Sequence, residues 1–160
     1  MIFLTVGTQK FQFNRLLQAV DHLIAAGTIR DTVIAQCGHS TYVPRNYQAY
    51  MFMDSEQFDQ MLQHCDLLIT HSGVGTILKG IAMKKKIIVV PRKKSLGEHV
   101  DNHQLEIANE FEKLGCISVC RQIVDLEKCY VNIKNTPVSD VQLHFSKTAK
   151  FLNKLLDEIT

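Results

Sequence analysis

Two glycines stand two positions apart in the stretch Asp66-Leu-Leu-Ile-Thr-His-Ser-Gly-Val-Gly-Thr76. They follow a run of aliphatics and lead into a helical pattern. Glycine lacks a Cβ, so a ligand can approach the main chain there, and positive φ is open to it. A helix beginning near Val74 presents N–H groups with no intrahelical acceptor, together with the positive end of its dipole. That combination suits an anion. Ser72 and Thr76 add hydroxyl donors, and His71, Gly73 and Gly75 complete the loop. A phosphate is the natural guest. The alternative is a tight turn with close helix–sheet packing and no ligand. The loop is not a Walker A motif, because no Gly-Lys-Ser/Thr follows. Nor is it the GxGxxG dinucleotide fingerprint, because position 78 is Leu.

A second stretch, Val90-Pro-Arg-Lys-Lys-Ser-Leu-Gly-Glu-His-Val-Asp-Asn-His-Gln104, brings three cations into a cluster of hydrogen-bonding side chains at a predicted helix start. Carboxylates, amides and imidazoles of this kind read sugar hydroxyls. Metal binding is the competing chemistry, since His99 and His103 stand at i, i+4. The residues between them are Val-Asp-Asn rather than the zincin pattern.

These stretches need elements to hold them. Ile2 to Val6 has the character of a buried strand, and Phe13, Leu16, Leu17, Val20, Leu23 and Ile24 then recur at helical spacing up to Gly27. Strands are predicted at 32–36, 48–53, 66–70, 86–90 and 117–119. A helix over 54–65 starts at Asp54, with Gln57 placed to close a capping box. Further helices run from about Val74 to Ala82 and from about Val100 to Leu114, the latter ending at Gly115. Residues 121 to 138 show no clear pattern, and Phe145, Leu152, Leu155, Leu156 and Ile159 mark a closing helix. Strands that are aliphatic along their length, alternating with helices, predict an α/β fold with a doubly wound, mostly parallel sheet. Ligands of such folds lie beyond the carboxyl ends of the strands. The ends are Gly7-Thr8-Gln9, Gly38-His39, Met53-Asp54, His71 to Thr76 and Arg92 to Gln104.

The 160 residues predict one domain over 1–160 with no linker or repeat. Hydrophobic residues make up 46% and charged residues 21%, which excludes a disordered chain. A net charge of +2 and no aromatic stacking platform argue against a nucleic-acid partner. No apolar run is long enough to span a bilayer, and the apolar start reads as a first strand rather than a signal peptide. Cys37, Cys65, Cys116, Cys120 and Cys129 form neither a disulfide framework nor a zinc pattern, and read as reduced thiols.

Taken as a set, Phe3-Leu4-Thr5-Val6-Gly7-Thr8 with Phe13-x-Arg15-Leu16, then Asp66 to Thr76, Val89 to Arg92 and Gly97 to Gln104 resemble the C-terminal, nucleotide-sugar-binding half of the family 28 glycosyltransferases. The short, separately encoded subunits of bacterial capsule and exopolysaccharide synthesis are the nearest type. The catalytic subunit of the second N-acetylglucosamine transfer in lipid-linked oligosaccharide assembly is their eukaryotic relative. The resemblance implies a Rossmann-like C-terminal half of a GT-B enzyme that binds a UDP-sugar donor and uses no cofactor and no metal. By position, Gly7 and Thr8 would lie beside the diphosphate, and main-chain groups at Met53 would meet the uracil edge. His71, Ser72, Gly73, Val74, Gly75 and Thr76 would hold the phosphates, with Arg92 near them. His103 and Gln104 would read the sugar, with Glu98, His99 and Asn102 close by. One position departs from the pattern. Where many relatives place a ribose-binding Glu, this chain has Lys79, which cannot accept a hydrogen bond.

The resemblance also implies an inverting transfer of a hexose or N-acetylhexosamine. The acceptor would be a polyprenyl-diphosphate-linked sugar, supplied through a membrane-anchored partner subunit that carries the acceptor lobe. The chain would then be cytoplasmic and peripheral to the inner face of the membrane. Lys84 to Lys86 and Arg92 to Lys94 could face anionic headgroups or simply water. The alternative function is a non-catalytic nucleotide-binding or enhancer subunit of such a transferase. A single-lobe epimerase does not fit, since such enzymes need two lobes in one longer chain.

Overall fold

A computed structural model of the chain describes residues 1–137. Six strands, β1 (Ile2–Thr5), β2 (Val33–Gln36), β3 (Gln48–Tyr50), β4 (Leu67–Thr70), β5 (Lys86–Val89) and β6 (Ser118–Val119), form one sheet in the order β3-β2-β1-β4-β5-β6. Every pairing in it is parallel. The helices are α1 (Asn14–Ala25), α2 (Ser55–His64), α3 (Val74–Ala82), α4 (His103–Lys113) and α5 (Leu126–Asn135).

The strand order places the topological switch between β1 and β4, where the chain leaves the sheet in opposite directions. Ile2 and Leu4 of β1 point to one face, where Leu16, Leu17 and Val20 of α1 and Leu126 and Tyr130 of α5 cover them. Phe3 points to the other, under Leu62 of α2, Ile77 and Ile81 of α3, and Phe111 of α4. A central strand buried on both faces must be apolar at every position, and Ile-Phe-Leu-Thr is buried throughout. The fold is therefore the expected doubly wound α/β sheet.

Several local expectations are met. Asp54 accepts the Gln57 N–H at 2.8 Å, and Gln57 Oε1 accepts the Asp54 N–H at 3.3 Å, closing the capping box at the start of α2. Gly115 follows α4 with φ of 70°. Three expectations change. The third strand stops at Tyr50; it lies at the sheet edge with all three residues exposed, so the apolar Met51 to Met53 do not extend it. The fourth helix begins at His103; residues 94–96 form a single 3₁₀ turn, and Gly97 then turns left-handed. The stretch left without a pattern holds a 3₁₀ turn and α5, whose Leu126, Tyr130 and Ile133 lie at i, i+4 and i+7. The expected closing helix lies outside the described residues.

Candidate functional site

The loops after β1 and β4 meet at the switch point, and His71 is the piece between them. Its ring is buried, with Nδ1 3.3 Å from Thr70 Oγ1 and a further hydrogen bond to the Thr5 main chain. A Cβ on Gly7 would come within 2.6 Å of this ring, and one on Gly73 within 2.5 Å. Gly7 also has φ of 77°, in the left-handed region. Gly73, by contrast, has φ of −77°, so its glycine serves the imidazole rather than a special backbone angle. Burial, and then the charge of Arg92, pull the His71 pKa down to about 4, so the ring is a neutral spacer at pH 7.

Gly75 is different. It is exposed, within α3, and a Cβ there would meet nothing within 4 Å. No side chain caps this helix. The Ile77 N–H makes the bond to the Gly73 carbonyl at 3.0 Å, so the amides of Val74, Gly75 and Thr76 precede the intrahelical ladder. The Ser72 N–H is taken by Gln104 Oε1 at 3.3 Å, and Ser72 Oγ is buried without a partner. Close packing of α3 on the sheet is the work of Gly80, where a Cβ would lie 2.9 Å from Ile87 and Leu68 side-chain atoms. The packing alternative thus explains Gly73 and Gly80 and leaves Gly75 open.

Arg92 is 1% exposed and faces inward. Nη1 donates to the carbonyls of Phe11, Gln12 and Glu98 at 3.0–3.1 Å, and Nη2 to the Val6 carbonyl at 2.6 Å. Burial pulls its pKa down to about 10, with Glu98 acting the other way. Glu98 is equally buried. It receives Arg15 through a two-point contact, Nε to Oε1 at 2.6 Å and Nη2 to Oε2 at 3.0 Å, and accepts the Lys93 N–H at 2.9 Å. Two guanidinia with one carboxylate leave a net positive charge beneath the β1–α1 loop. The side chains of Arg92 and Glu98 therefore bond protein groups around the switch point.

Gln104 is buried at 4% exposure, its Oε1 shared between the Ser72 and Arg92 amides. His103 is exposed, with Nδ1 3.1 Å from Glu106. Asn102 Oδ1 accepts the Lys94 N–H at 3.2 Å. His99 sits before the helix, paired with Asp101 at 3.0 Å and beside the Phe11 ring. The two histidines are thus not a helical i, i+4 pair. The Met53 N–H donates to Gln36 Oε1 at 3.0 Å, which leaves its carbonyl for any edge-on recognition. Thr8 is exposed on the loop after Gly7.

Lys79 turns away from the loop and donates to Asp59 Oδ1 on α2 at 2.7 Å. Lys85 donates to the carbonyls of Gln63 and Cys65, and Lys86 to that of Lys134. Lys86 opens β5 and Arg92 lies beyond its other end, so the two cationic runs sit at opposite ends of that strand. The structure thus gathers Gly7, Thr8, His71 to Thr76, Arg92, Glu98 and Gln104 around the switch point, and leaves Lys79 outside.

Sequence reasoning passed over Gln36 and Asp21. Gln36 Nε2 donates to Thr5 Oγ1 at 3.3 Å while its Oε1 holds Met53. Asp21 accepts Tyr42 Oη at 2.6 Å and the amides of Arg45 and Asn46 at 2.8 and 2.9 Å, which pins the loop before β3. The available signal was a carboxylate on the apolar stripe of α1, next to Val20.

Comparison with known proteins places the fold and the family. UDP-N-acetylglucosamine transferase subunit ALG13 of Mus musculus is 30% identical over 136 residues, and that of Homo sapiens 31% over 128 residues; each match covers 74% of this chain. The match spans only about a tenth of those relatives, 10% and 11% of their lengths. The crystal structure of Acinetobacter baumannii MurG superposes with a TM-score of 0.60 at 18% identity, over 83% of this chain and 41% of that one. The fold is that of one Rossmann-like lobe of a GT-B glycosyltransferase. The profile of the glycosyltransferase family 28 C-terminal domain matches residues 1–155, and the chain belongs to that family.

Proposed function

We propose that this chain is the donor-binding half of a UDP-sugar glycosyltransferase, with the diphosphate seated on the amino end of α3. The observation that carries this reading is the uncapped start of that helix at the switch point, with Gly75 open to approach from outside. As the glycosidic bond breaks, negative charge grows on the departing diphosphate. The amides of Val74, Gly75 and Thr76, already aimed along the helix axis, stabilise that charge without reorganising. One such donor is typically worth ~3 kcal/mol in the transition state. The positive cluster beneath the β1–α1 loop adds to the same field. Helix dipole and cations thus fill the role a metal would otherwise play.

In this proposal Gly7 and Thr8 flank the diphosphate, and the Met53 carbonyl receives the uracil N3–H. His103 and Asn102, on the exposed start of α4, meet the sugar, while Gln104 holds the phosphate loop from below. The names of the relatives favour N-acetylglucosamine over a hexose as the sugar transferred. The acceptor, a polyprenyl-diphosphate-linked sugar, and the base for an inverting attack would come from a membrane-anchored partner carrying the second lobe. No helix among the described residues is long and apolar enough to cross a membrane, and in this proposal the partner brings the chain to the inner leaflet.

Calorimetric titration with UDP and ADP tests the donor reading. UDP binds and raises the melting temperature, by about 2.7 kcal/mol of added stability at a hundredfold excess over Kd. ADP binds at least tenfold more weakly. Equal affinity for both, or none for either, sinks the assignment. Co-expression with the partner, followed by transfer from UDP-N-acetylglucosamine to a lipid-linked acceptor, tests the activity.

A further inference from the structure

Arg92 belongs to β5's outgoing segment, yet all of its side-chain hydrogen bonds reach across to other pieces of chain. Val6 precedes Gly7, and Phe11 and Gln12 close the same loop, so three of its four acceptors bracket residues 7–10. The fourth, the Glu98 carbonyl, lies on the segment leading to α4. The guanidinium stacks on Phe13 with Cζ 4.8 Å from the ring centroid, and Arg15 lies 5.0 Å from the same ring. The Arg92 N–H shares Gln104 Oε1 with the Ser72 N–H, which ties in the loop after β4. Three loops that leave different strands therefore converge on one residue.

We infer that Arg92 is a positioning residue that holds the Gly7–Gln12 loop against the amino end of α3, so that both sides of the diphosphate seat are built before the donor arrives. This rests on the donor reading above. A planar fork with several fixed donors can bridge carbonyls from three directions, which a lysine ammonium on a flexible stem cannot do at the same spacing. At residues 8–10 the loop itself carries little that would fix it: they are exposed, and the preceding Gly7 N–H makes a 3.3 Å bond to Thr5 Oγ1. Its far end has two further contacts, Gln12 Nε2 to the Leu96 carbonyl at 3.3 Å and the Phe11 ring beside His99. Without the guanidinium, the carbonyls of Val6, Phe11 and Gln12 lose their shared donor, and ordering the loop falls to the nucleotide.

The test pairs Arg92→Lys with Phe13→Leu, which removes the stacking surface but alters no group proposed to face the donor. Two readouts are used at a temperature where each variant is folded: backbone NMR order parameters at residues 8–12, and the Kd for UDP. The wild-type loop should be rigid, with order parameters of ~0.85, and Arg92→Lys is expected to lower them to ~0.6 or below, with α5 unchanged, and to raise the UDP Kd by about tenfold or more. Phe13→Leu gives a smaller change of the same kind, about threefold in Kd. A general loss of stability would instead lower the melting temperature and leave the folded variant's Kd untouched. Should Arg92→Lys not fold, Phe13→Leu carries the test. Wild-type order parameters at 8–12 together with wild-type affinity in a folded variant overturn the inference. If the wild type itself binds no UDP, the donor reading fails first, and the order parameters still report whether Arg92 orders the loop.

Discussion

The imidazole of His71 fills the space a side chain on Gly73 would need: a Cβ there would lie 2.5 Å from Nε2. The ring is buried and packed under Gly7 as well, so it cannot swing aside. Gly73→Ala should cost about 1–3 kcal/mol in denaturant unfolding, the usual range for overpacking. In a His71→Ala background the same change should cost much less, because the obstructing atoms are gone. Gly7→Ala should stay costly in both backgrounds, since its φ of 77° strains any residue with a Cβ. A double-mutant cycle separates the two cases; equal costs for Gly73→Ala in both backgrounds would refute the contact.

Gly75 predicts the opposite pattern. Nothing in the protein occupies the space beside it, and valine has better helix propensity than glycine. Gly75→Val should fold with stability within about 0.5 kcal/mol of wild type or above it. It should nonetheless lose UDP binding, because the branched side chain takes the approach to the α3 amides. Unchanged affinity in this folded variant places the phosphate elsewhere.

This contrast also shows how far the sequence could be read. The hydrophobic runs identified five of the six strands nearly to the residue; β1 and β4, buried at every position, leave least choice of side chain. The edge strand β3, exposed along its length, carries no such signature, and the apolar pattern runs past its end at Tyr50. The glycine loop was recognisable from its strand–loop–helix setting. What could not be read was that its two glycines do different work, because that depends on a histidine ring packed from a neighbouring position. In the same way the sequence places Arg92 and Glu98 near the expected donor pocket without showing what they bond. Only the three-dimensional return of the 6–12 loop shows that their partners are main-chain groups and Arg15.

His71 should impose a pH dependence on stability. Its pKa is about 4 in the folded chain, against about 6.5 for an unperturbed imidazole. Between those values the unfolded chain binds a proton that the folded chain refuses, so stability rises with pH through this window and falls as the solution is acidified from 6.5 toward 4. His71→Asn should lower stability at pH 7 yet flatten this part of the curve. An imidazole that titrates near 6.5 by NMR in the folded protein would contradict the burial argument.

Asp21 acts in a lower window. Burial alone would raise its pKa, but hydrogen bonds from Tyr42, Arg45 and Asn46 outweigh it and hold the carboxyl below its ordinary value of 3.8. A depressed carboxylate contributes stability that is present above the unfolded pKa and lost as pH falls through the folded one. The Asp21→Asn variant should therefore lose about 1–3 kcal/mol at neutral pH, the cost of impairing a buried acceptor network. Its stability should then change less than wild type below pH 4. The Tyr42 phenol, raised by the same contact, should ionise later in the wild type than in the variant.

Lys79 offers a final discrimination. Its Nζ is held by Asp59 at 2.7 Å, and both side chains are about half exposed. An exposed ion pair of this type contributes at most about 1 kcal/mol. The Lys79→Ala substitution should therefore shift stability by less than that and leave UDP affinity within about twofold, with no change in its salt dependence. If Lys79 instead neutralised the diphosphate, its loss would weaken UDP binding by tenfold or more and flatten the dependence of Kd on ionic strength. Titrating wild type and variant at low and moderate salt distinguishes the two outcomes, and the Asp59 contact favours the first.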